Sequence, residues 1–134
     1  MTAYPFAALI AAWPGNRTGA MDVTNLYAAV AVSDIDEARE WYTRLLGRKP
    51  DRQPMRSDIE WDLAGSGAGG LQVVQTERAG GSMVTIAVDD IDGAVEEMRD
   101  RGIDIESSPH EGAFWITQVC DPDGNLITFA QPAA

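Results

Sequence analysis

Ala31-Val32-Ser33-Asp34-Ile35-Asp36-Glu37-Ala38-Arg39-Glu40 returns 56 residues later as Ala87-Val88-Asp89-Asp90-Ile91-Asp92-Gly93-Ala94-Val95-Glu96, with seven of the ten aligned positions identical. The same offset lays Leu71-Gln72-Val73 on Ile127-Thr128-Phe129. Unrelated segments do not agree so closely at one fixed spacing, so the chain is read as a duplicated module. The expected division is an extension over residues 1–22, a first module over 23–78 and a second over 79–134.

Each copy carries the same order of elements. Leu26 to Val32 alternates, with Ala28, Val30 and Val32 on one face and Tyr27, Ala29 and Ala31 on the other, which predicts a strand. Asp34 then opens a helix whose apolar stripe is Ile35, Ala38, Trp41/Tyr42 and Leu45, and Gly47 ends it. A short strand near Arg48–Gln53 follows. Ile59, Trp61 and Leu63, alternating with Asp58, Glu60 and Asp62, mark a half-buried strand, and Leu71 to Thr76 closes the unit. In the second copy, Met83 to Val88 is a strand and Asp90 to about Arg101 a helix stopped by Gly102. Strands are expected near Ile103–Glu106, Phe114–Cys120 and Leu126–Gln131, with Asp121-Pro122-Asp123-Gly124-Asn125 as the turn before the last. One such module cannot bury both faces of its sheet. The expected class is therefore α+β, two repeated β-α-β-β-β modules forming a concave mixed sheet with helices on the outer face. The concave face is the natural place for a ligand.

The bulk composition narrows the partners. The chain has 134 residues, 21 acidic against 10 basic, and a net charge of −11. That balance argues against phosphate backbones and anionic membranes, so neither nucleic acid nor membrane is expected as a partner. The single cysteine, Cys120, cannot form an internal disulfide, and a cytoplasmic location is expected. It has no nearby cation to activate it and reads as a small, partly buried strand residue. Phe6 to Trp13 is apolar but short, with no basic residue ahead of it, unlike a secretory signal or a membrane span. Residues 1–20 read as an upstream extension, a start assigned too early, or an amphipathic helix packed on the body or on a partner subunit. Gly65–Gly70 lacks the Lys-Ser/Thr ending of a phosphate loop.

Val32-Ser33-Asp34-Ile35-Asp36, Val88-Asp89-Asp90-Ile91-Asp92 and Asp121-Pro122-Asp123-Gly124-Asn125-Leu126-Ile127, at these separations, resemble the vicinal-oxygen-chelate superfamily, over residues 23–131. That group contains glyoxalase I, extradiol dioxygenases, fosfomycin-resistance enzymes and bleomycin-binding proteins. The resemblance implies the glyoxalase/bleomycin-resistance fold and leaves the chemistry open. It also implies where a metal would sit: six residues before the Ser/Asp ending the first strand, at the repeat counterpart of that position, and four residues after the turn glycine. These fall on Tyr27, Met83 and Thr128, with Gln72 as the repeat partner of Thr128. None is a His or a carboxylate, so neither metal nor other cofactor is expected.

Alternation aims Asp58, Glu60 and Asp62 into the cup, and the 56-residue offset pairs them with Phe114, Ile116 and Gln118. The expected cup has an acidic wall and an apolar wall of Met83, Phe114 and Ile116. Tyr27, Gln72, Thr85, Gln118 and Thr128 supply uncharged polar groups. Arg44, Arg48, Arg52 and Arg56 are available to neutralise the acids. The only His, His110, falls in a loop and reads as a surface residue or a mobile proton-carrying group. Trp61, Trp115, Trp41 and Tyr42 read as packing residues.

Three functions fit. The first is metal-independent binding of a small, cationic natural product or drug by a homodimer, as the likeness to bleomycin-binding members implies. The second is a metal-independent enzyme with Glu60 or Asp62 as general acid/base and Tyr27 or His110 polarising the reacting oxygen. The third is a metal-dependent lyase or dioxygenase with ligands relocated to Asp58, Glu60, Asp62, His110 or Glu111. Whether the chain is catalytic stays open at this level.

Overall fold

The computed structural model describes residues 25–63, 69–105 and 114–132. The extension, His110 and Glu111 lie outside the described residues. The first module runs β1 (Tyr27–Val32), α1 (Ile35–Leu46), β2 (Arg52–Met55), β3 (Asp58–Asp62) and β4 (Gly70–Gln75). The second runs β5 (Met83–Ala87), α2 (Ile91–Asp100), β6 (Phe114–Cys120) and β7 (Leu126–Pro132). The strands form two mixed sheets, ordered β1-β4-β3-β2 and β5-β7-β6. In each sheet the first and last strands of the module lie parallel and the third pairs antiparallel with the last.

The repeat governs local structure in both halves. Asp34 caps α1 by accepting from the backbone N–H groups of Asp36 and Glu37, and Asp90 caps α2 by accepting from Gly93. Gln75 Oε1 accepts from Ile35 N–H at 2.9 Å, and Gln131 Oε1 accepts from Ile91 N–H at 2.7 Å, one offset apart. These bonds satisfy first-turn donors that a helix cannot satisfy itself. Gly47 ends α1 in the left-handed region at φ 76°. The Arg101 guanidinium lies over that end, and its Nε donates to Arg44 O at 2.5 Å and its Nη2 to Leu45 O at 3.1 Å. One module thus caps the helix of the other.

Helix-facing residues of both sheets make one core. Val30, Val32, Ile59, Trp61, Leu71 and Val73 pack with Tyr42 and Leu45, and continue into Ile91, Met98, Ile127 and Phe129. Trp41 and Trp115 pack against this core as expected. Ile103–Ile105 forms no strand, contrary to expectation. Its carbonyl partner is a side chain instead: Arg99 Nε donates to Ile105 O at 3.0 Å, while Ile103 and Ile105 are buried in the core. Among the described residues no helix is long and apolar enough to cross a membrane.

The turn between β6 and β7 joins the modules. Asp121 Oδ1 accepts from the N–H groups of Asp123 and Asn125, and Oδ2 from Tyr42 Oη at 2.7 Å and Asn125 Nδ2 at 2.8 Å. Asn125 also donates to Ala31 O and accepts from Ser82 N. Burial, the Asp121 hydrogen bond and the Asp121 and Asp123 charges push the Tyr42 phenol well above its ordinary value near 10. The folded protein therefore keeps a proton that the unfolded chain loses above about pH 10, and this contribution to stability fades as pH rises from there. Tyr42→Phe should cost about 2 kcal/mol at neutral pH, through the donor lost to buried Asp121. Its deficit against wild type should shrink above about pH 10, measured by urea unfolding at both pH values. A deficit that does not vary with pH would contradict the assignment.

Candidate functional site

The open sheet faces opposite the helices carry the candidate site. In the first module, strand registry places Tyr27, Ala29 and Ala31 beside Gly70, Gln72 and Val74, and these beside Asp62, Glu60 and Asp58. In the second, Met83, Thr85 and Ala87 lie beside Leu126, Thr128 and Ala130, and these beside Cys120, Gln118 and Ile116. The counterparts of Asp58, Glu60 and Asp62 are thus Ile116, Gln118 and Cys120, two residues beyond the expected partners. The cause is the connection length: residues 63–69 separate paired Asp62 and Gly70, whereas residues 121–125 separate paired Cys120 and Leu126. An even shift keeps Phe114, Ile116 and Gln118 on the expected face. Cys120 is exposed at its edge rather than partly buried.

The first-module face is a charged network centred on Arg52. Its Nη1 donates to Tyr27 Oη at 2.8 Å, Glu60 Oε1 at 3.1 Å and Asp62 Oδ1 at 3.1 Å, and its Nη2 to Asp62 Oδ2 at 2.5 Å. Hydrogen bonds to Asp62 and then Glu60 hold the guanidinium more firmly charged than usual. Beside it, Asp51 accepts from Asp62 N–H, which lowers its carboxyl below the ordinary range, and it pairs with Arg48. The acidic wall is therefore largely buried and ion-paired; Glu60 is only 8% exposed. Arg52 was one of four arginines available in the sequence. What selects it is the β2–β3 hairpin, which sets Arg52 directly opposite Glu60.

Tyr27 is seated by a close approach. A Cβ on Gly70 would fall 2.6 Å from Trp61 O and 2.7 Å from Tyr27 Cε1, so the ring occupies the space of a missing side chain. The second module has Leu126 at this position, and its Met83 stands out at 78% exposed. Phe114 at 53% and Ile116 at 40% continue that apolar surface. Gln118 Nε2 donates to Thr128 Oγ1 at 3.1 Å, and Thr85 lies beside Thr128. Next to the charged network, an open groove of about 620 Å³ is lined by Ala29, Ala31, Val74, Thr76, Arg78 and Ser82. A similar hollow of about 680 Å³ follows the outer, charged side of α1 and shares no residue with the concave face.

The four positions that correspond to metal ligands do not suit a divalent ion. Tyr27 Oη already accepts from Arg52 and from Asn25 Nδ2 at 3.2 Å, and Thr128 Oγ1 accepts from Gln118. Gln72 offers an amide and Met83 a thioether, and neither holds such an ion against water without imidazole or carboxylate companions. Among the described residues no group of three or more His, Cys, Asp or Glu side chains is arranged to hold a metal ion.

A β-α-β-β-β unit followed by its β-α-β-β counterpart, with helices on one side and an open, chemically lopsided sheet face on the other, defines a class of paired-module α+β proteins. Residues 25–129 match the family model of the Glyoxalase/Bleomycin resistance protein/Dioxygenase superfamily, and the chain belongs to that superfamily. It is similar to a glyoxalase/bleomycin resistance protein of Catenulispora acidiphila, at 32% identity and TM-score 0.74, over 81% of this chain and 98% of the other. It shares its fold with TnmS3, an antibiotic-binding protein of Streptomyces sp. CB03234, at 23% identity and TM-score 0.69, over 84% and 98% of the two chains. A glyoxalase family protein of Bacillus anthracis aligns at 20% identity and TM-score 0.64, over 85% and 98%. No curated protein matches the chain.

Gly70→Ala tests the seating of Tyr27. The new methyl meets a backbone carbonyl that cannot yield, so the variant should lose about 1–3 kcal/mol in urea unfolding. Its Tyr27 ring resonances should move; unmoved resonances would show that the ring does not lie on Gly70.

Proposed function

We propose that this protein binds a small, cationic natural product or drug on its concave face without a metal, as a homodimer in the cytoplasm. One observation carries the reading: the face joins an acidic half of Asp58, Glu60 and Asp62 to an exposed apolar half of Met83, Phe114 and Ile116. Such a surface complements a ligand with an apolar body and a positively charged end. Tyr27, Gln72, Thr85, Gln118 and Thr128 supply uncharged hydrogen-bonding groups between the two halves. TnmS3, which shares the fold, is an antibiotic-binding protein. The chemistry of the four former ligand positions supports metal independence, and the net charge of −11 favours a cation over an anion.

Dimerisation is supported by exposed residues on edge strand β1, which lies beside β5 in the same chain. β1 and β5 are outer strands, Ala28 and Ala29 are exposed, and Leu26 is an exposed large apolar residue beside them. Edge strands of this kind invite a second chain. The binding reading is preferred to general acid/base catalysis by Glu60 or Asp62 because Arg52 already engages both carboxylates by hydrogen bonds.

Two measurements test this reading. Calorimetric titration with metal-free bleomycin and related cationic glycopeptide antibiotics should show saturable binding; no heat with any of them would remove drug sequestration. Metal analysis of protein purified without chelators should find no stoichiometric Fe, Zn, Ni or Mn, and one equivalent of any of these would overturn metal independence.

A further inference from the structure

The three carboxylates of the first-module face are not equivalent. Arg52 pairs with Glu60 at 3.1 Å and Asp62 at 2.5 Å. Asp58, on the same face by alternation, has no cationic partner among the described residues. Its Oδ2 accepts from Gln72 Nε2 at 3.1 Å, while Oδ1 is buried and has no hydrogen-bond partner among the described residues. The residue is 6% exposed. Folded proteins rarely leave a buried carboxylate oxygen without a donor, because water has been removed and nothing replaces it.

We propose that Asp58 is the residue that grips the cationic end of the ligand, with Oδ1 accepting an N–H from a primary ammonium or amidinium group. The proposal rests on the binding reading above and assigns its charge recognition to one side chain. Glu60 and Asp62 would have to surrender Arg52 to bind a cation, exchanging one charge-assisted pair for another. Asp58 gains a partner it lacks. Access needs side-chain rotation only. Gln72 holds Oδ2 by a single hydrogen bond, and Met55, directly opposite Asp58 on the irregularly paired edge strand β2, is exposed and unbranched.

The test uses the full chain, labelled at the aspartate carboxyl carbons and at the Met and Thr methyl groups, with 4-phenylbutylamine and its N,N,N-trimethyl analogue as probes. The analogue keeps the charge and the ring but has no N–H. The primary amine should shift the Asp58 carboxyl resonance and bind at least about tenfold more tightly than the analogue. Asp58→Asn should fold with wild-type or higher stability, because a buried charge is removed, and should lose about tenfold in affinity. Glu40→Gln, on the outer side of α1 and away from the concave face, should stay within about threefold of wild type. A stationary Asp58 resonance at millimolar amine overturns the proposal, and this readout needs no variant to fold. Shifts confined to Met83 and Thr128 would leave the binding reading standing without Asp58. No shift anywhere would remove amine recognition from both. Equal affinity for the two probes would assign recognition to charge alone and would also overturn the N–H acceptor role.

Discussion

Everything in this fold depends on a carboxylate that is buried and fully satisfied. Asp121 receives four hydrogen bonds, two from its own turn, one from Asn125 and one from Tyr42 on the helix of the other module. Asn125, also buried, uses its amide to hold Ala31 O on β1 and Ser82 N ahead of β5. Asp123 adds a third link, accepting from Ser33 Oγ at 2.6 Å and Ser33 N at 3.1 Å. Each polar residue of the turn therefore binds the first module. A network of this kind is rigid when complete and costly when broken, so it fixes the relative position of the two sheets more sharply than apolar packing alone.

The repeat explains how much of this was legible. An offset of 56 residues correctly matches β1 to β5, α1 to α2 and β4 to β7, and even the glutamines that bind the first helical turn. Hydrophobic alternation correctly separated the core face, with Ile59 and Trp61, from the face carrying Asp58, Glu60 and Asp62. The offset failed at β3 and β6, where the connections differ in length, because a ruler set on one pair of strands cannot register an insertion between others. Asp121 and Asn125 read only as turn residues, since a sequence does not show that a tyrosine 79 positions from Asp121 will reach it. Ile103 and Ile105 alternate as a strand does, yet strand formation needs a neighbouring backbone, and Arg99 takes the carbonyl instead. The choice of Arg52 among four arginines was hidden for a similar reason. A hairpin partner is a matter of register, not of composition.

Duplication usually suggests two equivalent half-sites, but these halves have diverged at the positions that face the cup. Gly70 lets the Tyr27 ring lie flat against its sheet, where Arg52 and Asn25 can reach the phenol oxygen. The corresponding position holds Leu126, and Met83 beside it is largely exposed. One glycine-to-leucine difference between repeats thus separates a hydrogen-bonding wall from an apolar one. The third strands follow the same division: Asp58 and Glu60 on one side, Ile116 and Gln118 on the other. A symmetric scaffold carrying an asymmetric face can orient an asymmetric ligand, because each end has only one half that satisfies it.

This asymmetry also bears on what organises the first-module face. In a chelating site a divalent ion draws anionic and neutral donors inward and sets their spacing. Here Arg52 performs the same geometric task as a cation belonging to the chain, gathering Tyr27, Glu60 and Asp62 around one guanidinium. The difference is chemical. A guanidinium is planar, permanently charged and already saturated by the groups it collects, so it orders a binding surface without offering an open coordination position. Under the binding reading proposed above, a face organised in this way would recognise its ligand by shape and hydrogen bonding.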